Sequence, residues 1–395
     1  MTHDPKTSRS HAPATRLVHS GREPGSPFVN PPVVHASTVL FDNLAQMKGK
    51  AEKPAKWVYG RRGTPTSAAL EDIVAEMEGA EGCVLTPSGL AACSLALLAV
   101  LKAGDHLLMI DSVYGPTRLV CDGLLKRYGV ETTFFDPLIG AGIAELIRPN
   151  TRAIFLESPG SLTFEMPDVP AITAVARARD IVTLIDNTWA TPLFFRPLEH
   201  GVDVSIMAAT KYLVGHSDAM VGTVAAGPRA WRQVKQTHGD LGMFTGPDDM
   251  YLALRGLRTL EVRLARHQAS ALAIAGWLEA RPEVARVLHP GLPSDPGHAV
   301  WMRDFDGSAG LFAFELNPVS EAAVAAFLDG LELFGLGYSW GGFESLVTHA
   351  EPAPIRTAVP WTAPGPLIRL QIGLEDVADL IADLESGFKR LAAAA

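Results

Sequence analysis

An α/β fold with a mostly parallel central sheet, followed by a smaller C-terminal α+β domain, is predicted by three observations. Short apolar runs alternate with helical patterns from Gly63 to about Leu257, as strands joined by crossover helices do. Two of those runs close on Asp186 and on Thr210-Lys211, and ligands of open α/β sheets bind beyond the carboxyl ends of parallel strands. The pattern changes at about Arg258 to one long amphipathic segment and then to shorter alternating runs.

Residues 1–61 are rich in Pro, Gly and charge and include PGSPFVNPPVV, which no regular helix accommodates. They are expected to form an irregular arm that needs a surface to lie on. Over 62–257 the expected elements are a helix at Ala68–Glu78, an apolar helix after Gly89, and strands at His106–Ile110 and Ala153–Leu156. A helix at Ile172–Arg179 and strands ending near Ile185 and Ala209 complete that region. In 258–395, RTLEVRLARHQASALAIAGWLEA carries apolar residues at helical spacing until Pro282. Gly310–Leu316 and Leu367–Ile372 alternate as strands around a helix at Ala322–Leu331.

With 395 residues, 47% apolar and 19% charged, the chain has enough material for two or three domains and a large core. A net charge of -9 without long basic runs argues against nucleic-acid binding. Cys83, Cys93 and Cys121 form no Cys-x-x-Cys pair, so neither a disulfide framework nor a zinc site is expected, and a cytoplasmic location fits. The histidines lack ligand spacing, so no metal is expected. The polar N-terminus lacks the apolar region of a signal peptide. The longest apolar stretch, Leu90–Leu101, falls well short of the roughly 20 residues that cross a bilayer.

Lys211 and Asp186 carry the chemistry. A lysine amine forms a Schiff base with an aldehyde cofactor, and an aspartate beside a pyridine nitrogen keeps that ring protonated; pyridoxal phosphate needs both. Thr86-Pro-Ser-Gly-Leu90 precedes the apolar helix, so the amides near Gly89 and Leu90 lie where a phosphate is stabilised. Tyr114 follows a strand end and is placed either to stack on a pyridine ring or as a turn tyrosine. Arg61, beside Tyr59, is either a bidentate phosphate ligand or an exposed cation. Arg369 sits among Leu and Ile and needs an anionic partner, either a substrate carboxylate or a structural Asp or Glu. Gly140-Ala-Gly142 has Glu145 where a dinucleotide fingerprint needs its third glycine, so it is discounted.

In order along the chain stand TxxxHSG from Thr15, Tyr59-Gly-Arg61, TPSGLAA, VYGPT, DNTWATP, ATKYLVGHSD, RGLRTL, YSWGGFESL and LIRLQIGLED. Together they resemble the Cys/Met-metabolism family of fold-type I pyridoxal phosphate enzymes, from about Thr15 to Phe388. That resemblance implies the aspartate aminotransferase-like (PLP-dependent transferase-like) fold. It also implies that Lys211 bonds the cofactor and moves protons, that Asp186 pairs with the pyridine nitrogen, and that Tyr114 stacks on the ring. Gly89, Leu90 and Thr210 would contact the phosphate. Tyr59 and Arg61 would reach into a neighbouring subunit's site, so a homodimer, usually paired into a homotetramer, is implied. Arg369 would bind the substrate α-carboxylate, with Ser339 and Trp340 beside it. Members that act at the γ carbon usually carry leucine where this chain has Trp340. The resemblance therefore implies a carbon–sulfur β-lyase acting on an amino-acid thioether such as L-cystathionine, in methionine biosynthesis. The alternatives are a γ-acting sibling, a broad cysteine-S-conjugate lyase, or a regulator that kept the fold without catalysis. Ala208 departs from the pattern, since many relatives have a phosphate-binding serine there.

Overall fold

The computed structural model describes residues 11–22 and 25–394; residues 1–10, part of the expected arm, lie outside the described residues, as do 23, 24 and 395. A seven-stranded sheet is formed by β1 (Gly82–Thr86), β2 (His106–Ile110), β3 (Glu131–Phe135), β4 (Thr151–Glu157), β5 (Val182–Asp186), β6 (Val204–Met207) and β7 (Gly222–Ala226). Its order is β1-β7-β6-β5-β4-β2-β3. Pairings among β2 to β6 are parallel, and β7 is antiparallel to both β1 and β6. The sheet is therefore mostly parallel, as expected, with one reversed strand that the sequence pattern did not reveal. This arrangement brings the carboxyl ends of β1, β4, β5 and β6 to the same edge.

The core explains the apolar runs. Leu107, Leu108, Met109 and Ile110 are all fully buried in β2, at about 1.5–3 kcal/mol for each such side chain. The helix Gly89–Val100 is apolar on most of its surface and packs on β6 and β7, which is why it reads as a buried run and not as an amphipathic stripe. Helix Pro65–Glu78 begins at a Thr64–Ser67 capping box and stops at Gly79 in the left-handed region, where glycine avoids the Cβ penalty.

A second sheet contains β8 (Val284–Leu288), β9 (Leu311–Leu316), β10 (Gly335–Leu336), β11 (Leu346–Ala350) and β12 (Leu367–Gln371), in the order β10-β11-β12-β9-β8. The long amphipathic segment forms the helix Leu260–Glu279. Every residue of β9 is buried. Leu311 and Ala313 join the core of the seven-stranded sheet, while Phe312, Phe314 and Leu316 join a second core with Phe327 and Phe388. The alternation of β9 thus separates two hydrophobic cores, and neither of its faces meets water. The region expected to be irregular also contains the helix Pro13–His19, whose Leu17 is buried.

Candidate active site

One cavity of about 680 Å³ opens at the carboxyl edge of the large sheet, within the range of small-molecule sites. Lys211 lies four residues past the end of β6, in a turn held by its own N–H to Ala208 O (3.0 Å) and by Gly215 N–H to Lys211 O (2.8 Å). Its Nζ donates to Ser339 Oγ at 2.6 Å and stands 5.4 Å from the centroid of the Trp340 ring. Burial, reinforced by the Arg369 charge and opposed by Asp186, pushes the Lys211 amine down to about 8. Ser339 adopts φ +91, a conformation a non-glycine residue holds only at a cost. That conformation leads into Gly341, which packs against the Lys211–Tyr212 backbone.

Asp186 is the last residue of β5. It accepts from Thr188 N–H at 3.0 Å and from Thr188 Oγ1, with Cys93 Sγ 3.8 Å away. Burial raises its carboxyl, and the Thr188 donors hold it back. Among the described residues no Lys or Arg lies within salt-bridge distance of Asp186. A carboxylate lining a cavity without such a partner suits a cationic ring nitrogen. Arg369, in β12, is likewise without a carboxylate partner among the described residues. Its Nη2 donates to Ser339 O at 3.3 Å. Of the two partners its setting left open, the structural Asp or Glu is absent.

Gly89 and Leu90 open the helix Gly89–Val100, so their amides have no acceptor within it. A Cβ on Gly89 would collide with the Ala208 methyl, and one on Gly222 with Ser88 O. Two backbone segments therefore approach closely around the cavity wall formed by Ser88, Gly89 and Ala208. That cradle, the Asp186 anion and the Lys211 amine fit pyridoxal phosphate, with its phosphate, ring nitrogen and aldehyde. Thr210 also lines the cavity, but its Oγ1 accepts from Val221 N–H (3.0 Å) and donates to Val221 O (3.2 Å).

A model of Cys/Met metabolism PLP-dependent enzymes matches residues 14–389. The chain belongs to that family. Members of the family use pyridoxal phosphate, which is therefore the cofactor of this chain. A Rhizobium johnstonii relative is 55% identical over 380 residues, covering 95% of each chain. The cystathionine beta-lyase MetC of Escherichia coli is 47% identical over 387 residues, covering 95% of this chain and 98% of that one. The cystathionine gamma synthase of Xanthomonas oryzae pv. oryzae, solved with aminoacrylate and cysteine, superimposes with a TM-score of 0.89 at 34% identity. That match covers 98% of this chain and all of the other.

Tyr114, Ser339 and Trp340 line the cavity together with Lys211, Asp186 and Arg369. Tyr59 and Arg61 do not. Arg61 Nη1 donates to Gly239 O at 3.3 Å, and Tyr59 stays partly exposed beside it. Sequence reasoning missed Glu157, the last residue of β4 and the register partner of Asp186. The signal was available: Glu157 closes an apolar strand just as Asp186 does. It also missed Ile355 and Leu162, which come from irregular segments with no pattern to read.

Proposed function

We propose that this chain is a pyridoxal phosphate-dependent carbon–sulfur β-lyase that cleaves L-cystathionine to homocysteine, pyruvate and ammonia in methionine biosynthesis. The observation that carries the reading is Lys211 Nζ, bonded to Ser339 and beneath Trp340, with Arg369 in the same wall. When bound, pyridoxal phosphate supplies the electron sink that makes an amino acid's α proton removable.

The chain's own residues do the rest. Asp186 keeps a negative charge beside the ring nitrogen. Gly89 and Leu90 direct helix N-terminal amides at the phosphate, and Thr210 flanks it. Arg369 takes the substrate α-carboxylate in a charge-assisted pair, which orients the α carbon. Lys211 Nζ, once free and neutral, removes the α proton and returns a proton to the departing sulfur; its lowered pKa favours the neutral base. Ser339 Oγ holds that amine in place, and Trp340 narrows the wall beside it. Tyr114 covers the ring.

The division into an arm (1–61), a cofactor-binding domain (62–257) and a C-terminal domain (258–395) belongs to the same proposal, as does a cytoplasmic location. Among the described residues no helix is long and apolar enough to cross a membrane. A homo-oligomer is supported by the arm, which exposes Phe28, Val29, Leu40 and Met47 by 64–89%. In that assembly Tyr59 and Arg61 serve the partner subunit's cavity. Incubation with L-cystathionine, with identification of the keto acid, tests the reading. Pyruvate with homocysteine supports it; 2-oxobutyrate with cysteine moves the chain to the γ-cleaving branch.

A further inference from the structure

The phenol of Tyr114 makes no hydrogen bond and its ring stacks on no other aromatic ring among the described residues, although 44% of the residue is exposed. Its place in the cavity wall is set by its backbone. The Tyr114 carbonyl accepts from the N–H groups of Thr117 (2.9 Å) and Arg118 (3.2 Å), opening the short helix Gly115–Leu119. Those bonds fix the chain after Tyr114. On the other side, the Tyr114 N–H donates to Glu157 Oε2 at 2.7 Å.

Resting on the pyridoxal phosphate reading above, we infer that Glu157 is a positioning residue, whose carboxyl at the end of β4 pins the Tyr114 backbone so that the phenol stays in the cavity wall beside Asp186. The sheet makes this possible, because β4 and β5 are parallel and bring Glu157 level with Asp186. Two carboxyls so placed, with no Lys or Arg in salt-bridge range of Glu157 among the described residues, do not both ionise readily. Asp186 holds the Thr188 donors, which favour its ionised form. Burial and the Asp186 charge push Glu157 well above the usual carboxylate range, in the direction of the protonated form. A protonated carboxyl still accepts the Tyr114 N–H. The role requires an oxygen acceptor of that reach and no charge, which glutamine also provides.

The test compares Glu157→Ala and Glu157→Gln as holoenzymes, alone and in a Tyr114→Ala background. The readouts are kcat/KM for keto-acid release and the Kd for pyridoxal phosphate. Glu157→Ala is expected to lower kcat/KM at least tenfold and raise that Kd severalfold, with Glu157→Gln recovering most of both losses. In the Tyr114→Ala background, Glu157→Ala is expected to change either quantity less than twofold, because the residue acts through Tyr114. Equal losses in both backgrounds, or a Gln variant as impaired as Ala, would overturn the assignment. A wild-type protein that neither binds the cofactor nor releases a keto acid would instead overturn the underlying function, which keeps the two failures distinct.

Discussion

Glu78→Gln is the substitution whose consequence follows most directly from the structure. Glu78 ends the helix Pro65–Glu78 and is fully buried beneath the site strands. Its Oε1 accepts from Ser205 Oγ at 2.8 Å, and its Oε2 has no hydrogen-bond partner among the described residues. Burial, opposed by Ser205, Asn187 and Arg196, raises this carboxyl from 4.5 to about 7. Below pH 4.5 both folded and unfolded chains carry the proton. As pH rises from there to about 7 the unfolded chain sheds it and the folded chain keeps it, so stability falls. Each pH unit in that window is worth about 1.4 kcal/mol, and the whole window roughly 3 kcal/mol. Glutamine has the neutral shape permanently, and its oxygen accepts from Ser205 Oγ as Glu78 Oε1 does. The variant should therefore gain about 2–3 kcal/mol on wild type between pH 5 and pH 8, read as the difference of urea midpoints across that range. Parallel midpoint curves would refute the claim that Glu78 is folded in its protonated form.

Gly89→Ala should weaken pyridoxal phosphate binding at least tenfold and lower stability by about 1–3 kcal/mol, because the new methyl overlaps that of Ala208; equilibrium dialysis and thermal denaturation measure the two. With Lys211 brought to about 8, the rate at which apoprotein combines with pyridoxal phosphate should rise about tenfold per pH unit below pH 8 and level off above it. A flat profile from pH 6 to 9 would contradict that. Arg369→Leu should raise KM for L-cystathionine at least tenfold, the loss of about 1.5–3 kcal/mol expected for a charged hydrogen-bonding pair, while the visible spectrum of the bound cofactor persists. Lys211→Ala should abolish turnover with the circular dichroism unchanged.

Much of the site is legible in the chain because strand ends are. Asp186 and Lys211 stand out since each follows a run of buried β-branched or small residues, and a polar group there has one direction to face. Glu157 obeys the same rule but carries no companion motif, and Tyr114 reads equally well as a turn residue until the cavity is seen. The arm is harder to read. Its Pro-rich run excludes helix, but Pro13–His19, ahead of that run, is helical with Leu17 in a buried seat, a tertiary gain that local propensity does not register.

By itself the sequence determined the mostly parallel α/β class, the change to a second sheet after about Arg258, and the family with its pyridoxal phosphate cofactor through its ordered motifs, and it singled out Lys211 and Asp186 as the candidate pair. These depend on periodicity and on residue types adjacent along the chain. Only the tertiary structure decided that β7 runs against its neighbours, that β9 divides two cores, that Arg369 has no carboxylate partner among the described residues, and that Glu157 stands level with Asp186. Each of these is a pairing between segments far apart in sequence, and no local pattern of side chains encodes which strand lies beside which.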